Sequence, residues 1–198
     1  KQVQDKVKDG QWEAVGSMWV EADCNLTGAE SLVRQFLYGR RYFRDKLGVT
    51  TDDMWLPDVF GYSAALPQIL EKFGIKYFLT QKISWNQFNK FPHNTFWWEG
   101  IDGTKIWTHF PPADTYCGDG SPSQMLDSVK KHRDHGRSDI SLYVCGWGDG
   151  GGGPTETHIE RFRRARLTGN MPDVAKGKRA IDFFREARAK SQDLQTWS

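Results

Sequence analysis

Apolar residues along the chain follow two alternating rhythms, short strand-like runs and longer stretches with helical spacing. Val3 and Val7 open on an amphipathic helical pattern, and Leu32, Phe36, Phe43 and Leu47 share one face of a longer helix. Thr27-Gly28-Ala29-Glu30 reads as a capping box for that helix, the threonine oxygen and the glutamate each satisfying a free backbone donor, and Gly48 ends it. Residues 54–56 then predict a strand, 67–73 a helix stopped by Gly74, and 76–80 a second strand. Residues 95–99 and 105–110 flank Ile101-Asp102-Gly103-Thr104, where Asp-Gly is a strong hairpin signal. Ser121-Pro122-Ser123-Gln124 repeats the capping-box logic with proline at the first helical position, for a helix running to about His135 before Gly136. A buried strand over 140–145 and helices over 155–167 and 176–190 complete the pattern.

Strands alternating with helices predict an α/β fold with a parallel sheet built from βα units. With 198 residues, 38% of them apolar and 14% aromatic, one domain with a real core is expected. Both ends interrupt a pattern rather than cap it, so a fragment with two cut ends is expected. A net charge of +2 implies neither a nucleic-acid footprint nor a strong surface field. Arg161, Arg163, Arg164 and Arg166 share a helix with Ile159, Phe162 and Leu167, the pattern of a solvated outer face rather than a nucleic-acid site. Cys24, Cys117 and Cys145 lie far apart with no CxxC pair, which points to a reducing compartment and away from a thiolate zinc site. No apolar run approaches the ~18 residues that span a bilayer, so no membrane partner is expected. A cytoplasmic location follows as the expectation.

The chemistry-bearing residues gather after the strands: Glu21 and Asp23, then Asp58, then Gln81 and Lys82, then Asp114 and Tyr116, then Asp149. In α/β barrels and open parallel sheets the ligand binds at the carboxyl ends of the strands, where the loops converge. The expected site takes a polar, hydroxyl-rich substrate and is rimmed by Trp19, Trp85, Trp97, Trp98 or Trp147. Each residue also has a plainer reading. An aspartate after a strand is often a helix N-cap, yet Pro57 holds Leu56 extended and several residues separate Asp58 from the helix signal at Leu66-Pro67, too many for a simple cap. Asp23 equally suits a turn and Lys82 a solvated loop, while His132 and His135 suit a helix C-terminus. His93 and His109 carry no reading alone.

Gly146-Trp147-Gly148-Asp149-Gly150-Gly151 satisfies GxGxxG after a strand, so a nucleotide-binding oxidoreductase domain is an alternative. Against it, Asp149 sets a negative charge where a pyrophosphate would lie, and the next helix begins only after Pro154. In a hydrolase the same glycines let backbone approach a sugar while Asp149 projects from a strand end.

WVEADCN (19–25), ESLVRQ (30–35), WLPDVFGYS (55–63), LPQIL (66–70), TQK (80–82), FPPADTY (110–116) and GDGGGGPT (148–155) occur in an order that resembles the catalytic domain of glycoside hydrolase family 38, the retaining α-mannosidases, and in particular its cytosolic and bacterial subgroup. The resemblance implies a parallel-stranded (β/α) barrel of the family type, here incomplete, with residues 1–198 the central part of one catalytic domain. It implies hydrolysis of terminal α-D-mannosidic bonds in a mannoside or oligosaccharide, with retention through a covalent mannosyl-enzyme. It makes Asp58 both nucleophile and zinc ligand, Asp149 the candidate general acid/base, and Asp23, Lys82, Tyr116 and Trp147 substrate-binding residues. The family's upstream metal motif and a downstream metal histidine are absent, so the remaining zinc ligands are expected outside this chain and the isolated fragment is expected to be inactive. Relatives carry paired aspartates where this chain has Asp149-Gly150, which leaves open whether Asp149 is the acid or its neighbour. A non-catalytic sugar-binding fragment is the remaining alternative.

Overall fold

The computed structural model describes all residues 1–198. Its strands are β1 (Asp53–Trp55), β2 (Tyr77–Leu79), β3 (Thr95–Glu99), β4 (Lys105–His109) and β5 (Thr196–Trp197). They form one sheet of order β1-β2-β4-β3-β5. β1 and β2 pair in parallel, as do β2 and β4, whereas β3 runs antiparallel to β4. Where an incomplete parallel-stranded barrel was expected, the sheet is open and mixed, with β1 and β5 at its edges and β3 antiparallel to its neighbour β4. The cause is local. Gly103 at φ +83° and Asp102, whose carboxylate accepts from Thr104 N at 3.0 Å, fold the chain back sharply, so β3 and β4 must pair as a hairpin.

Six helices, α1 (Gln2–Lys8), α2 (Ala29–Tyr42), α3 (Leu66–Lys72), α4 (Pro122–Lys131), α5 (Glu156–Ala165) and α6 (Ala180–Lys190), accompany the sheet. Because successive strand residues point to opposite faces, two cores form. Phe78, Phe96 and Ile106 bury with Leu32 and Phe36 of α2 and Leu66 and Leu70 of α3, while Tyr77, Leu79 and Trp107 bury with Phe183, Phe184 and Ala187 of α6. Each fully buried ring, such as Phe36 or Phe184, contributes roughly 1.5–3 kcal/mol through removal from water. Trp97 and Trp98, expected at a rim, are packed against these two cores on opposite faces of β3.

Other boundaries move for identifiable reasons. The cap of α2 is Gly28 with no side-chain bond, because Glu30 reaches Arg34 at 2.8 Å instead. Ser121 does cap α4, accepting from Gln124 N at 3.4 Å, but that helix ends at Lys131 because His132 turns extended. α6 starts at Ala180 rather than at 176, where the Glu13 carboxylate accepts from Ala180 N and Ile181 N at 2.7 and 2.9 Å. The expected strand over 140–145 is an extended segment without a ladder, and its residues are half-buried rather than buried. It is tied in through Gly118 N to Val144 O (3.1 Å) and Leu142 N to His109 Nε2 (3.2 Å). Burial pushes the His109 imidazole down to about 3, so the ring is neutral, with Nε2 accepting and Nδ1 donating to Thr95 Oγ1 at 3.0 Å.

Candidate active site

The carboxyl ends of β1, β2 and β4 open on one edge of the sheet, and the loops that follow them carry Asp58, Lys82 and Tyr116. The ladder between the first two strands runs past their ends: Leu56 N donates to Leu79 O at 3.0 Å and Lys82 N to Pro57 O at 3.2 Å. That register sets Lys82 beside Asp58, and Lys82 Nζ lies 2.9 Å from Asp58 Oδ1. The lysine side chain is 7% exposed, the aspartate 41%. Asp58 Oδ2 accepts no hydrogen bond from the chain and stays open to the rim.

Aromatic rings enclose the ammonium. Lys82 Nζ stands 3.7 Å from the centre of the Trp85 ring, 5.0 Å from Tyr116 and 5.5 Å from Phe60. Burial acts to lower the lysine's pKa, but hydrogen bonding to Asp58 and to Tyr116 together outweighs it, and the net shift is upward. Burial also raises the Tyr116 phenol, and the negative charges of Asp58 and Asp149 push it the same way. Tyr116 thus lies in the field of both carboxylates.

Asp149 arrives from a different segment. Trp147 and Gly153 exchange backbone hydrogen bonds of 2.9 and 3.1 Å, closing the glycine tract into a small hairpin whose bend holds Asp149 at φ +35°. Gly148 seats this hairpin on the site: a Cβ there would lie 2.5 Å from the Tyr116 ring and 2.3 Å from Cys117 Sγ, and Gly148 N donates to that sulfur at 3.2 Å. The tract does not lead into a helix, since α5 begins only at Glu156, and this departs from the dinucleotide-binding turn that its glycine spacing matched.

Glu21 is the contributor that sequence reasoning noted but did not select. Its Oε1 accepts from Asp58 N at 2.7 Å, fixing the backbone that bears the carboxylate. Burial raises the Glu21 pKa, the Asp58 N–H opposes that, and the Asp58 charge adds to it. The segment around Glu21 is positioned by α2, where Gln35 accepts Trp19 N and Val20 N at 3.0 Å each, and by Gly39, where a Cβ would stand 2.4 Å from the Ser17 carbonyl oxygen.

The remaining candidates fall elsewhere on the rim. Asp23 Oδ1 accepts from Asn25 N and Leu26 N at 2.8 and 2.6 Å, the turn-forming role, and its carboxylate makes no contact with Lys82. Trp147 is exposed and meets His158 edge-on at 5.4 Å. Asp114 pairs with Lys131 at 3.2 Å while its carbonyl accepts from Gln81 Nε2 at 2.6 Å. Of the arginine cluster on α5, Arg163 and Arg164 both bind Glu160 at 2.7 Å and Arg161 bonds the Asp119 carbonyl at 2.7 Å, which suits the solvated face expected of it. No three His, Cys, Asp or Glu side chains converge in an arrangement that could hold a metal ion. Asp58 is one donor with one oxygen already paired, so the donor set in these 198 residues does not by itself fit a zinc ion.

All 198 residues match the Glycosyl hydrolases family 38 N-terminal domain. The chain is 47% identical over 188 residues to Alpha-mannosidase 2C1 of Homo sapiens, covering 95% of this chain and 18% of that protein. It is 44% identical over 197 residues to Alpha-mannosidase G of Dictyostelium discoideum, covering 100% of this chain and 18% of that protein. Against the Alpha-mannosidase of Saccharomyces cerevisiae the identity is 41% over 201 residues, covering 98% of this chain and 19% of the relative. The chain therefore spans about a fifth of the length of these relatives. Its fold is similar to the crystal structure of an alpha-mannosidase from Enterococcus faecalis V583, with a TM-score of 0.74 at 19% identity over 99% of this chain and 23% of that one. A full-length match to the domain, together with this identity to several α-mannosidases, places the chain in glycosyl hydrolase family 38.

Proposed function

We propose that this chain supplies the catalytic rim of a retaining α-mannosidase that cleaves terminal α-D-mannosidic bonds of a mannoside or oligosaccharide. The observation that carries the reading is the Asp58–Lys82 pair at 2.9 Å, on the strand-end edge, with Asp58 Oδ2 open. In the first step that oxygen attacks the anomeric carbon as the bond from carbon to the leaving oxygen breaks, and Asp149 hands the leaving oxygen a proton. In the second step Asp149 takes a proton from water, whose oxygen replaces Asp58 on the anomeric carbon, so the configuration is retained. Lys82 holds Asp58 at the required angle and balances its charge, while Tyr116, in the field of both carboxylates, is a hydrogen-bonding partner for the sugar. Asp23 and Trp147 complete the substrate contacts, the indole offering an apolar face for a pyranose ring.

Asp58 is also proposed as one ligand of the zinc that the family resemblance implies, an ion that would hold sugar hydroxyls. Such a site needs more donors than these residues bring together, so the 198 residues alone are expected to bind zinc weakly and to show no turnover. A cytoplasmic location is proposed from the three free cysteines, none of them paired.

The test traps the intact enzyme containing this chain with a 2-fluoro-mannoside carrying a good leaving group, then maps the label by peptide mass spectrometry. Label on Asp58 is expected. Label on any other carboxylate overturns the assignment.

A further inference from the structure

The ammonium of Lys82 is nearly buried, yet the chain offers it a single anionic partner, Asp58. The rest of its surroundings is aromatic, and one ring dominates. Trp85 stands 3.7 Å away, while Tyr116 and Phe60 are at 5.0 and 5.5 Å. The closeness follows from local geometry. Lys82–Trp85 is a single three-residue-per-turn helix, in which side chains three apart eclipse one another, so the indole is laid directly along the lysine stem. The turn is pinned from three directions: Gln81 Nε2 donates to Ser84 Oγ at 2.8 Å, Asn86 N to Ile83 O at 3.3 Å, and Lys90 Nζ to Ser84 O at 3.2 Å. Phe60, two residues after Asp58, meets the Trp85 ring edge-on at 5.7 Å and 72°, tying the aromatic wall to the loop that bears the carboxylate.

A large ring this exposed, at 60%, contributes little to either core and is absent from both. Its placement is explained by the cation. A ring face attracts an ammonium through its quadrupole and shields it from water, which leaves the hydrogen bonds to Asp58 and to Tyr116 as the ammonium's directed contacts. We propose that Trp85 is a positioning residue: its indole face clamps Lys82 so that the ammonium fixes Asp58 for attack. The inference rests on Asp58 being the nucleophile.

The experiment measures, in the intact enzyme, the rate at which a 2-fluoro-mannoside glycosylates Asp58, alongside kcat and KM for an aryl α-mannoside. Fluorinated tryptophans placed at position 85 alone keep the shape of the ring and drain its quadrupole stepwise. The glycosylation rate is expected to fall with each added fluorine, Trp85→Phe to lose about 3-fold and Trp85→Leu about 10- to 30-fold, mostly in kcat. In a Lys82→Gln background the same changes at 85 are expected to have no further effect. Equal rates across the fluorinated series, or an undiminished Trp85→Leu loss in the Lys82→Gln background, overturns the clamp. A label mapping away from Asp58 is a separate outcome and sinks the nucleophile assignment instead.

Discussion

Asp53 opens β1, the strand that leads to Asp58, and is 2% exposed. Its carboxylate accepts Gly16 N at 3.0 Å, and the next residue, Ser17, donates to the Asp53 carbonyl at 2.8 Å, so one residue latches the strand to the segment that carries Glu21. Burial, joined by the charges of Glu13 and Asp52, raises the Asp53 carboxyl from its ordinary 3.8 to about 6 despite the Gly16 hydrogen bond. A raised acid favours the folded state while protonated and opposes it once ionised. Its contribution is therefore neutral below the unfolded value near 3.8, becomes unfavourable between 4 and 6, and costs about 3 kcal/mol by pH 7. Asp53→Asn keeps an oxygen for Gly16 N and removes the titration. Urea unfolding of both forms from pH 4 to 7 should show the variant gaining on the parent by about 2–2.5 kcal/mol as pH rises, with nearly half of that change by pH 5. His109 and His132, both lowered chiefly by burial, lose stability as pH falls through 6.5, the opposite trend in the same window. They are common to both proteins and cancel in the difference. A difference curve that is flat, or that tilts toward the parent at pH 7, refutes the reasoning.

Gly39→Ala drives a Cβ to 2.4 Å from backbone atoms of Ser17 and Met18, which cannot rotate away, and should lower stability by about 1–3 kcal/mol, read as a fall in Tm. Asp134 is 1% exposed and accepts from Asn94 N, Thr95 N and His93 Nδ1 at 2.5, 2.9 and 3.0 Å. Asp134→Ala should cost about 3 kcal/mol or more by chemical denaturation, since it strands buried donors beside β3, and a loss below 1 kcal/mol contradicts that account. Gly148→Ala presses on Tyr116 and Cys117 at the seat of the Asp149 hairpin, and in the intact enzyme it should cut kcat/KM at least about tenfold with a smaller change in Tm.

What the sequence disclosed was what leaves a periodic or positional trace. Alternating apolar runs marked β1 to β4 and their helices, and the habit of strand ends to carry chemistry singled out Asp58, Lys82, Tyr116 and Asp149, whose charges and contacts the fold brings into one neighbourhood. The Asp-Gly turn announced a hairpin, yet pairing β3 against β4 also decides which strand sits next in the sheet, and that order has no local signature. Long-range contacts between a side chain and backbone were equally invisible. Glu13 starts α6 from the far end of the chain, Glu21 grips the Asp58 N–H, and His109 ties in the segment at Leu142. Each replaces a local cap or ladder that sequence rules look for, so those rules misplace the boundary where it occurs. Trp97 and Trp98 failed for a related reason, because composition cannot tell an aromatic that faces a core from one that faces a substrate.

Each carboxylate proposed to react is held by contacts that leave it an oxygen free. The backbone of Asp58 is fixed by Glu21 and by the ladder bond from Lys82 N to Pro57 O, and only Oδ1 is taken by the ammonium, leaving Oδ2 available. Asp149 is set by the bonds that close its hairpin and by Gly148 seated on Tyr116, and its own carboxylate makes no bond to the chain. Asp134 beneath β3 is the opposite case: both of its oxygens are taken, Oδ2 by Asn94 N and Thr95 N and Oδ1 by His93 Nδ1, while Asp23 spends Oδ1 on its own turn. The contrast separates aspartates that build this fold from aspartates that the fold presents. That physical distinction, more than proximity alone, favours Asp58 and Asp149 over the other acids of the rim.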